Sequence, residues 1–134
     1  MATISLCMIV KNEETVLARC LDSVQHLADE IIIVDTGSDD STQEIASRYT
    51  NKIYSYPWAF DFAAARDFSF SKATQKYIFW MDADDVFEVS HMEDFLFWKE
   101  CDFQNADMIF LPYHIASDES GNPLVSCDRE RIVR

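Results

Sequence analysis

Glycine, proline and positive charge are all scarce in this sequence. The 134 residues contain 2 Gly and 3 Pro, which leaves little room for low-complexity linkers. Only 11 residues are Lys or Arg, against 24 Asp or Glu, so the formal net charge is -13. Without a basic stripe to neutralise phosphates, binding to nucleic acid or to an anionic membrane through a broad surface is not expected. The acidity is consistent either with solubility alone or with a cleft that attracts a metal ion.

Paired cysteines and long apolar runs are also missing. The cysteines are Cys7, Cys20, Cys101 and Cys127, and none belongs to a C-x-x-C pair. Because two of them fall on apolar faces, we interpret the set as reduced packing residues of a cytosolic protein, and we expect neither a zinc site nor a disulfide framework. No signal-peptide pattern opens the chain, and no apolar run approaches the ~20 residues that span a bilayer. A cytoplasmic location is therefore expected, with a membrane anchor outside this chain left open.

Apolar segments alternate with helical patterns along most of the chain. A hydrophobic fraction of 49% is enough for one compact domain with a real core. Strands are predicted at residues 4–10, 30–34, 52–56, 77–81 and 108–113, and helices at about 12–27, after 41, at 60–73 and at 90–100. Turn residues around Gly121 and Asn122 predict a hairpin between residues 109–116 and 124–133. This order predicts an α/β fold with a largely parallel, doubly wound sheet.

Capping patterns mark the predicted helix starts. Asn12 is expected to cap the first helix, with Glu13 and Glu14 at the positive end of its dipole. Residues 41–44 and 90–93 each match the capping-box pattern, which predicts that a helix begins at each of them.

The most informative segment is Asp82-Ala83-Asp84-Asp85, which directly follows the apolar run at 77–81. Three carboxylates at the end of a buried strand repel one another and cost desolvation energy, unless a cation sits among them or water reaches them freely. Mg2+ or Mn2+ meets that need through oxygen ligands, and it usually keeps open positions for substrate phosphates. The segment therefore suggests phosphate-ester or nucleotide-sugar chemistry.

Polar residues follow three of the predicted strands. In an open parallel sheet, ligands bind beyond the carboxyl ends of the strands, near the switch in strand order. The residues expected to meet there are Lys11, Asn12 and Glu13 after the first strand, Asp35 after the second, Asp82, Asp84 and Asp85 after the fourth, and Arg66 from the third helix. The convergence of four separate regions favours a functional site more strongly than any single motif does.

Several of these candidates also have a purely structural interpretation. Asp35 can accept hydrogen bonds from a nucleobase N–H or a ribose hydroxyl, or it can be a turn residue or a helix cap. Arg66 can fork onto a diphosphate, or it can pair on the surface with Asp61 or Asp67. Glu13 can hold a ribose hydroxyl, or it can merely favour the helix start. No role in the site is expected of Asp39, Asp40, His91 or His114.

Two other patterns overlap the acidic segment. Residues 82–93 place acids as an EF-hand loop does, but Phe87 stands where a glycine must turn the chain, which argues against a calcium hand. Asp82-x-Asp84-x-Val86 matches the nucleophile motif of haloacid-dehalogenase-type phosphatases, in which the first Asp attacks phosphorus. That mechanism needs a downstream lysine, and no lysine follows Lys99. This phosphatase is the alternative enzyme, and a non-catalytic nucleotide-sugar-binding module is a further alternative.

Together, these segments resemble the family 2 inverting glycosyltransferases, which have the GT-A fold. Residues 8–14 look like the family's first strand and its Asn-Glu turn, with Lys11 where tyrosine is common. Residues 32–42 are similar to the second-strand signature Val-Asp-Asp-Gly-Ser-x-Asp-x-Thr, with Thr36 in place of the second Asp. Residues 62–67 and 81–85 look like the donor-side helix and the DXD metal motif. The resemblance covers roughly residues 4–88.

The resemblance implies a nucleoside-diphosphate-sugar donor, most commonly UDP-linked, and inversion at the anomeric carbon. Its nucleotide-sugar-binding residues would be Val10, Asn12, Glu13, Asp35, Arg66 and Asp82. By position, Asp35 would contact the base and Glu13 the nucleoside. Arg66 would contact the diphosphate or support the local structure.

The resemblance also implies a metal site for Mn2+ or Mg2+. Asp84 would ligate the cation, Asp82 would face the ribose or the sugar as well as the metal, and Asp85 would be an additional ligand or a group that supports the ligands. The cation would neutralise charge that develops on the departing diphosphate, which is Lewis-acid catalysis.

An inverting transfer also needs a base that deprotonates the acceptor hydroxyl. The resemblance places that base in the acceptor half, after the DXD strand. The candidates are Asp118, Glu119, Asp128 and Glu130, none of which belongs to a recognisable motif. Arg129, Arg131 and Arg134 either reach a phosphate or lie on an exposed strand. The acceptor itself, a glycan, lipid or protein, is not indicated by the sequence.

We expect one domain over residues 1–134, in which residues 1–88 form a nucleotide-sugar and metal-binding half and residues 89–134 begin an acceptor half. The sequence ends at Ile132-Val133-Arg134, inside a predicted strand. The expectation is therefore a fragment that is truncated on its acceptor side. The base is either one of the acids named above or lies beyond Arg134, and in the second case the fragment alone would bind donor and metal without transfer.

Overall fold

One mixed sheet organises the part of the chain that the structure describes. The computed structural model describes residues 1–88, 90, 92–117, 119–120 and 123–134, with the backbone alone at 115–117 and 123–126. Its strands are β1 (Ile4–Val10), β2 (Glu30–Asp35), β3 (Ile53–Ser55), β4 (Tyr77–Trp80), β5 (Met108–Ser117) and β6 (Pro123–Val133). Its helices are α1 (Leu17–Val24), α2 (Thr42–Ser47), α3 (Phe62–Ser71) and α4 (Met92–Glu100).

The strand order determines where a ligand can bind. The sheet runs β3-β2-β1-β4-β6-β5, with β1 parallel to both β2 and β4, and with β6 antiparallel to both β4 and β5. The chain leaves β1 toward β2 on one side, and β4 returns on the other side, so the strand order switches at β1. A crevice is expected at such a switch, beyond the carboxyl ends of β1 and β4. The predicted α/β fold with a largely parallel sheet is confirmed.

Both faces of β1 are buried, which explains its apolar run. One face packs in the main core against the apolar side of α1 and against Phe95 of α4, whose ring lies 5.9 Å from that of Phe79 in β4. On the opposite face, Cys7 packs with Ile32 and Val34 of β2 beneath the aromatic side chains of α3. The sheet is therefore a rigid layer between helices, and its strand ends hold the loops in place.

The helix starts match the capping predictions in part, since α2 and α4 begin inside the patterns at 41–44 and 90–93 whereas the first helix begins later than expected. Asn12 does not cap α1, which begins at Leu17, because Asn12 has a left-handed backbone (φ 52°) and its side chain bonds elsewhere. The helix predicted from the pattern at 41–44 is confirmed, because α2 begins at Thr42 with Ser41 at its N-cap. Ser41 makes no side-chain cap bond, however, and Asp40 Oδ1 accepts from the Thr42 amide at 2.9 Å instead. Asp61 caps α3 by accepting from Ala64 N at 3.0 Å. The box at 90–93 includes His91, which lies outside the described residues.

The predicted hairpin is confirmed by the pairing of β5 with β6, from Met108 opposite Val133 to Ser117 opposite Pro123. Its turn residues Gly121 and Asn122 lie outside the described residues. The hairpin joins the sheet through β6, where Phe79 of β4 lies opposite Ile132. Residues of β5 and β6 are therefore carried to the carboxyl end of β4.

The cysteines match their predicted packing role in part. Cys7 and Cys20 are buried, and burial raises the pKa of each thiol to about 12, whereas Cys101 is exposed and Cys127 is half-buried. All four are free. Among the described residues, no helix combines the length and the apolar character that crossing a bilayer requires. The cytoplasmic location stays a prediction.

A buried carboxylate ties the amino-terminal ends of the strands together, and it makes stability depend on pH. Burial works to raise the pKa of Glu30, but hydrogen bonds from Lys52, Ser5 and Thr74 outweigh burial and lower that pKa from 4.5 to about 2. The stabilisation is therefore complete above about pH 4.5 and is lost as the pH falls toward 2. We expect the free energy of unfolding to drop by about 3 kcal/mol over that window.

Urea unfolding at a series of pH values checks this expectation. Glu30→Gln should lower stability at pH 7 and should remove most of the acid-dependent slope. Glu44→Gln is the matched control, because Glu44 is exposed and its one ion pair within the described part of the chain is with Arg48 at 3.7 Å. An acid slope that is as steep in Glu30→Gln as in the wild type would contradict this assignment.

Candidate functional site

The loops after β1, β2 and β4 meet at one edge of the sheet. Glu13 shows this most directly, because burial raises its pKa and the carboxylates of Asp84, Asp40 and Asp82 raise it further. Asp40 lies in the loop after β2, and Asp82 and Asp84 lie in the loop after β4. The structure thus brings together the carboxylates that the sequence placed at separate strand ends.

Backbone-directed hydrogen bonds hold the first two loops against each other. Asn12 donates its amide to Ser38 Oγ at 2.9 Å and accepts from the Asp39 amide at 2.9 Å. The Glu13 amide donates to Thr42 Oγ1 at 2.8 Å. Val10 completes the contact, since its carbonyl accepts from the Thr36 amide at 3.0 Å. Val10 therefore shapes the floor of the crevice through its backbone carbonyl, and Asn12 does so through its backbone N–H and its side-chain carbonyl.

Replacing Asn12 tests this loop contact. Asn12→Ala should destabilise the fold by about 1–2 kcal/mol, because alanine loses the bond to Asp39 and tolerates φ 52° poorly. Asn12→Gly loses the same bond but accepts that backbone freely, so we expect a smaller loss. Urea unfolding of the two variants separates backbone strain from the lost hydrogen bond. Equal stability of Asn12→Ala and the wild type would contradict the loop contact.

Asp35 ends β2 in a buried position next to the first loop. Its Oδ1 accepts from the amides of Gly37 and Ser38 at 3.0 and 2.9 Å, and its Oδ2 accepts from the Gln43 side chain. Burial acts to raise the pKa of Asp35, but these hydrogen bonds prevail and lower it below its ordinary value. Asp35 is thus ionised and held rigidly. The turn-residue interpretation is borne out by these bonds, and the nucleobase role stays a prediction.

Asp82, Asp84 and Asp85 form a compact acidic cluster after β4. One carboxylate oxygen from each of the three lies within 4.8 Å of the others. Burial raises the pKa of Asp82, as do the neighbouring carboxylates, whereas Arg131 and Arg66 act in the opposite direction. Three converging hard oxygen donors fit Mn2+ or Mg2+ in the chemistry of their ligand atoms.

Two arginines stack on Trp80, the last residue of β4, close to the acidic cluster. The guanidinium carbons of Arg66 and Arg131 lie 4.0 and 4.1 Å from the ring centroid of Trp80. Among the described residues, Arg66 makes no ion pair with Asp61 or Asp67, so the surface-pair interpretation of Arg66 is wrong. Stacking on the indole leaves the N–H groups of Arg66 free to face an anion.

A cavity of about 740 Å3 opens beside the cluster, between α4, β5 and the loop after β4. Asp84, Asp85, Tyr113 and Arg131 contribute its polar lining. Its apolar lining includes Phe79, Phe87, Phe95, Trp98 and Phe110. A ligand in this cavity would lie against both the carboxylates and a largely aromatic wall.

The candidate bases are not brought into this cavity. Asp128 and Glu130 are exposed on β6 and do not line it, because side chains alternate along a strand and Arg131 takes the position that faces the cluster. Glu119 is exposed, and Asp118 lies outside the described residues. None of the three described candidates therefore has a position for proton transfer in this cavity.

Sequence reasoning missed the parts that Trp80, Tyr113 and the buried Arg131 play in the site, and it missed an aromatic cluster at Trp58 that does not line the cavity. In the sequence, Trp80 is only part of an apolar run, and Tyr113 is only the end of a predicted strand. The alternation of β6 could have indicated Arg131, which is 5% exposed and not on an exposed strand face. Trp58 packs against Phe60 and Phe62 beyond the end of β3, and this exposed cluster had no sequence signal other than its aromatic composition.

A sequence profile described as glycosyl transferase family 2 matches residues 5–122. The chain belongs to this family. The cholesterol galactosyltransferase of Borreliella burgdorferi is 35% identical over 109 residues, which cover 76% of this chain and 30% of that family 2 relative. A TPR repeat-containing protein of Synechococcus elongatus is 47% identical over 85 residues, which cover 63% of this chain and 21% of the relative. This chain thus spans less than a third of the length of either relative.

Solved structures of two bacterial proteins share the fold. The glucosyl-3-phosphoglycerate synthase of Mycobacterium tuberculosis, in complex with Mn2+ and UDP-glucose, matches with a TM-score of 0.55 and 26% identity, over 62% of this chain and 33% of the synthase. S. aureus TarS 1-349 matches with a TM-score of 0.55 over 73% of this chain and 32% of TarS. At 21% identity, the TarS match shows the fold alone. The predicted GT-A fold is confirmed, and the phosphatase interpretation is set aside because the family match includes Asp82.

Proposed function

We propose that this chain carries the donor side of a metal-dependent, inverting glycosyltransferase, which takes a sugar from a UDP-linked donor to an acceptor hydroxyl. The observation that carries the proposal is the acidic cluster of Asp82, Asp84 and Asp85 at the strand-order switch of a family 2 fold. The Mn2+ and UDP-glucose complex of the related synthase supports the choice of donor and cation. Residues 1–88 would form the donor half, and residues 89–134 would begin the acceptor half.

The nucleotide would lie across the ends of β1 and β2. Asp35 would accept from a base N–H, because hydrogen bonds lower the pKa of its carboxyl and keep it ionised. Glu13 is close enough to Asp84 and Asp82 for their charges to act on it, and it would hold a ribose hydroxyl. Val10 and Asn12 hold the crevice floor. Arg66 is one of two arginines near Asp82, together with Arg131, and it would donate to the diphosphate.

Asp84 and Asp82 present exposed carboxylates and would hold Mn2+ or Mg2+. When bound, the cation supplies Lewis-acid stabilisation of the leaving diphosphate. The acceptor oxygen attacks the anomeric carbon while the bond from that carbon to the diphosphate oxygen breaks, which inverts the configuration. The aromatic cavity beside Asp84 is the place for the acceptor. The hydroxyl proton of the acceptor would pass to a general base. Neither Asp128 nor Glu130 lines this cavity, so neither is proposed for that role.

Calorimetric titration with UDP, GDP and dTDP tests this proposal. With Mn2+ present, UDP should bind more tightly than the other two, and EDTA should weaken UDP binding by roughly tenfold or more. Binding that is indifferent to EDTA, or the absence of nucleotide binding, would contradict the proposal. Prolonged incubation of a full-length protein that includes the acceptor half with a UDP-sugar and Mn2+ addresses the binding-module alternative, which predicts that the donor stays intact even then.

A further inference from the structure

The third carboxylate of the acidic cluster has protein partners at both of its oxygens. Asp85 Oδ1 accepts from the Tyr113 hydroxyl at 2.9 Å. Asp85 Oδ2 accepts from the Asp82 amide at 3.0 Å and lies 3.5 Å from Arg131 Nη2. The Asp85 amide in turn donates to the Asp82 carbonyl at 3.0 Å, so the two residues close a turn. Both oxygens of Asp85 are therefore committed to holding this turn.

The partners of Asp85 come from the β5–β6 hairpin, far away in sequence. Tyr113 lies on β5, and Arg131 lies on β6, next to the residue that pairs with β4. The Arg131 side chain is 7% exposed, and its Nη1 lies 3.5 Å from the Trp80 carbonyl. We call Asp85, Tyr113 and Arg131 the Asp85 clamp. It joins the hairpin to the end of β4, directly before the cluster.

The other two carboxylates are in a different situation. The Asp82 side chain is 57% exposed, and the Asp85 side chain is 11% exposed. Arg131 Nη1 lies 3.9 Å from Asp82 Oδ2, beyond hydrogen-bonding distance. Asp84 is exposed, and its carbonyl, not its carboxylate, accepts from Arg19 at 3.2 Å. Among the described residues, no group donates a hydrogen bond to the carboxylate of Asp82 or Asp84, whereas both oxygens of Asp85 accept one.

We propose that Asp85 is a positioning residue and not a metal ligand: the Asp85 clamp fixes the 82–85 turn so that Asp82 and Asp84 face a divalent cation. This inference rests on the proposed function. The buried Arg131 guanidinium offsets the charge of Asp85, and therefore the turn can hold three carboxylates close together without the cation. A turn that is fixed in advance lowers the ordering cost when the cation binds. Tyr113 and Arg131 are positioning residues for the same site.

The Tyr113→Phe variant separates the two roles of Asp85, because it removes only the hydroxyl. If Asp85 is a clamp, the loss of the 2.9 Å bond loosens the turn, and the Mn2+ dissociation constant should rise by about threefold to tenfold. If Asp85 is a ligand, the loss frees Oδ1 for the cation, and Mn2+ should bind equally well or more tightly. Free Mn2+ can be counted by electron paramagnetic resonance with no need for turnover.

A matched control distinguishes the clamp from general loss of stability. Tyr49 donates its hydroxyl to Asp22 Oδ1 at 2.7 Å in another part of the fold, so Tyr49→Phe deletes a similar bond. We expect Tyr49→Phe to bind Mn2+ as the wild type does. Tyr113→Phe should also bind UDP in EDTA as the wild type does, with a melting temperature close to that of Tyr49→Phe.

An isosteric pair provides a second test. Asparagine at position 85 can still accept from Arg131 and the Asp82 amide through its carbonyl, and its amino group can donate to the Tyr113 oxygen. We expect the Mn2+ dissociation constant of Asp85→Asn to stay within about tenfold of the wild-type value, and that of Asp84→Asn to rise roughly 100-fold. Equal losses in the two variants, or unweakened binding in Tyr113→Phe, would overturn the clamp alone. A wild-type protein that binds no Mn2+ would overturn the proposed function together with the clamp.

Discussion

The Asp84→Asn variant is expected to lose metal-dependent binding of UDP. Asp84 is exposed at the tip of the 82–85 turn, and its carboxylate has no protein donor among the described residues, so it is the oxygen ligand most available to a cation. Asparagine keeps the size of the side chain but removes its charge. Because Mn2+ would link the carboxylate to the diphosphate, the UDP dissociation constant in Mn2+ should rise roughly 100-fold.

The same variant should leave metal-free binding unchanged. In EDTA, the wild type and Asp84→Asn should bind UDP with the same weak affinity, since the nucleotide contacts at Asp35, Glu13 and Arg66 remain. Asp94→Asn is a suitable control, because Asp94 lies in α4 and lines the same cavity away from the turn. If Asp84→Asn binds UDP and Mn2+ as tightly as the wild type, the acidic cluster is structural.

The Arg66→Gln variant is expected to lose UDP affinity both with and without metal. Arg66 stacks on Trp80 at 4.0 Å and lies close enough to Asp82 to oppose the rise that burial causes in the pKa of that carboxyl, so its charge would act where the diphosphate would lie. A hydrogen bond to a charged partner contributes about 1.5–3 kcal/mol, which corresponds to a roughly tenfold to hundredfold weaker dissociation constant.

The comparison of nucleotide forms makes the Arg66 prediction specific. The substitution should weaken the binding of UDP strongly and the binding of uridine hardly at all, because uridine has no diphosphate. Arg48→Gln is the matched control, since Arg48 is an exposed arginine that pairs with Glu44 within α2 and its C-cap. Equal losses for UDP and uridine would indicate that Arg66 only supports the local structure through Trp80.

The sequence was sufficient to predict the fold because its central strands are buried on both faces. Ile4–Val10 and Glu30–Asp35 are largely apolar, and short apolar runs of this kind, separated by helical segments, are typical of a parallel sheet covered by helices. The acidic cluster was equally predictable, because its members are neighbours in the chain and a buried strand directly precedes them. Parallel pairing then necessarily brings the ends of β1, β2 and β4 to the same edge of the sheet.

The details of the site were not predictable in the same way. Arg131 reaches the cluster only because β6 pairs antiparallel with β4, and nothing in the sequence indicates that these two strands are neighbours. Asn12 has the composition of a cap, but tertiary bonds to Ser38 and Asp39 favour a left-handed backbone over a helix start. Local patterns therefore predicted which residues gather, whereas long-range pairing determines what each of them contacts.

The most direct test of the donor site is a crystal structure of this chain with UDP and Mn2+, in which anomalous scattering locates the manganese. We predict one manganese peak within bonding distance of Asp84 and of a diphosphate oxygen, with the diphosphate beside Arg66 and the uracil beside Asp35. The clamp further predicts that Asp85 stays bonded to Tyr113 and is not a ligand. A manganese peak away from the 82–85 turn, or UDP bound elsewhere on the chain, would contradict the proposed function.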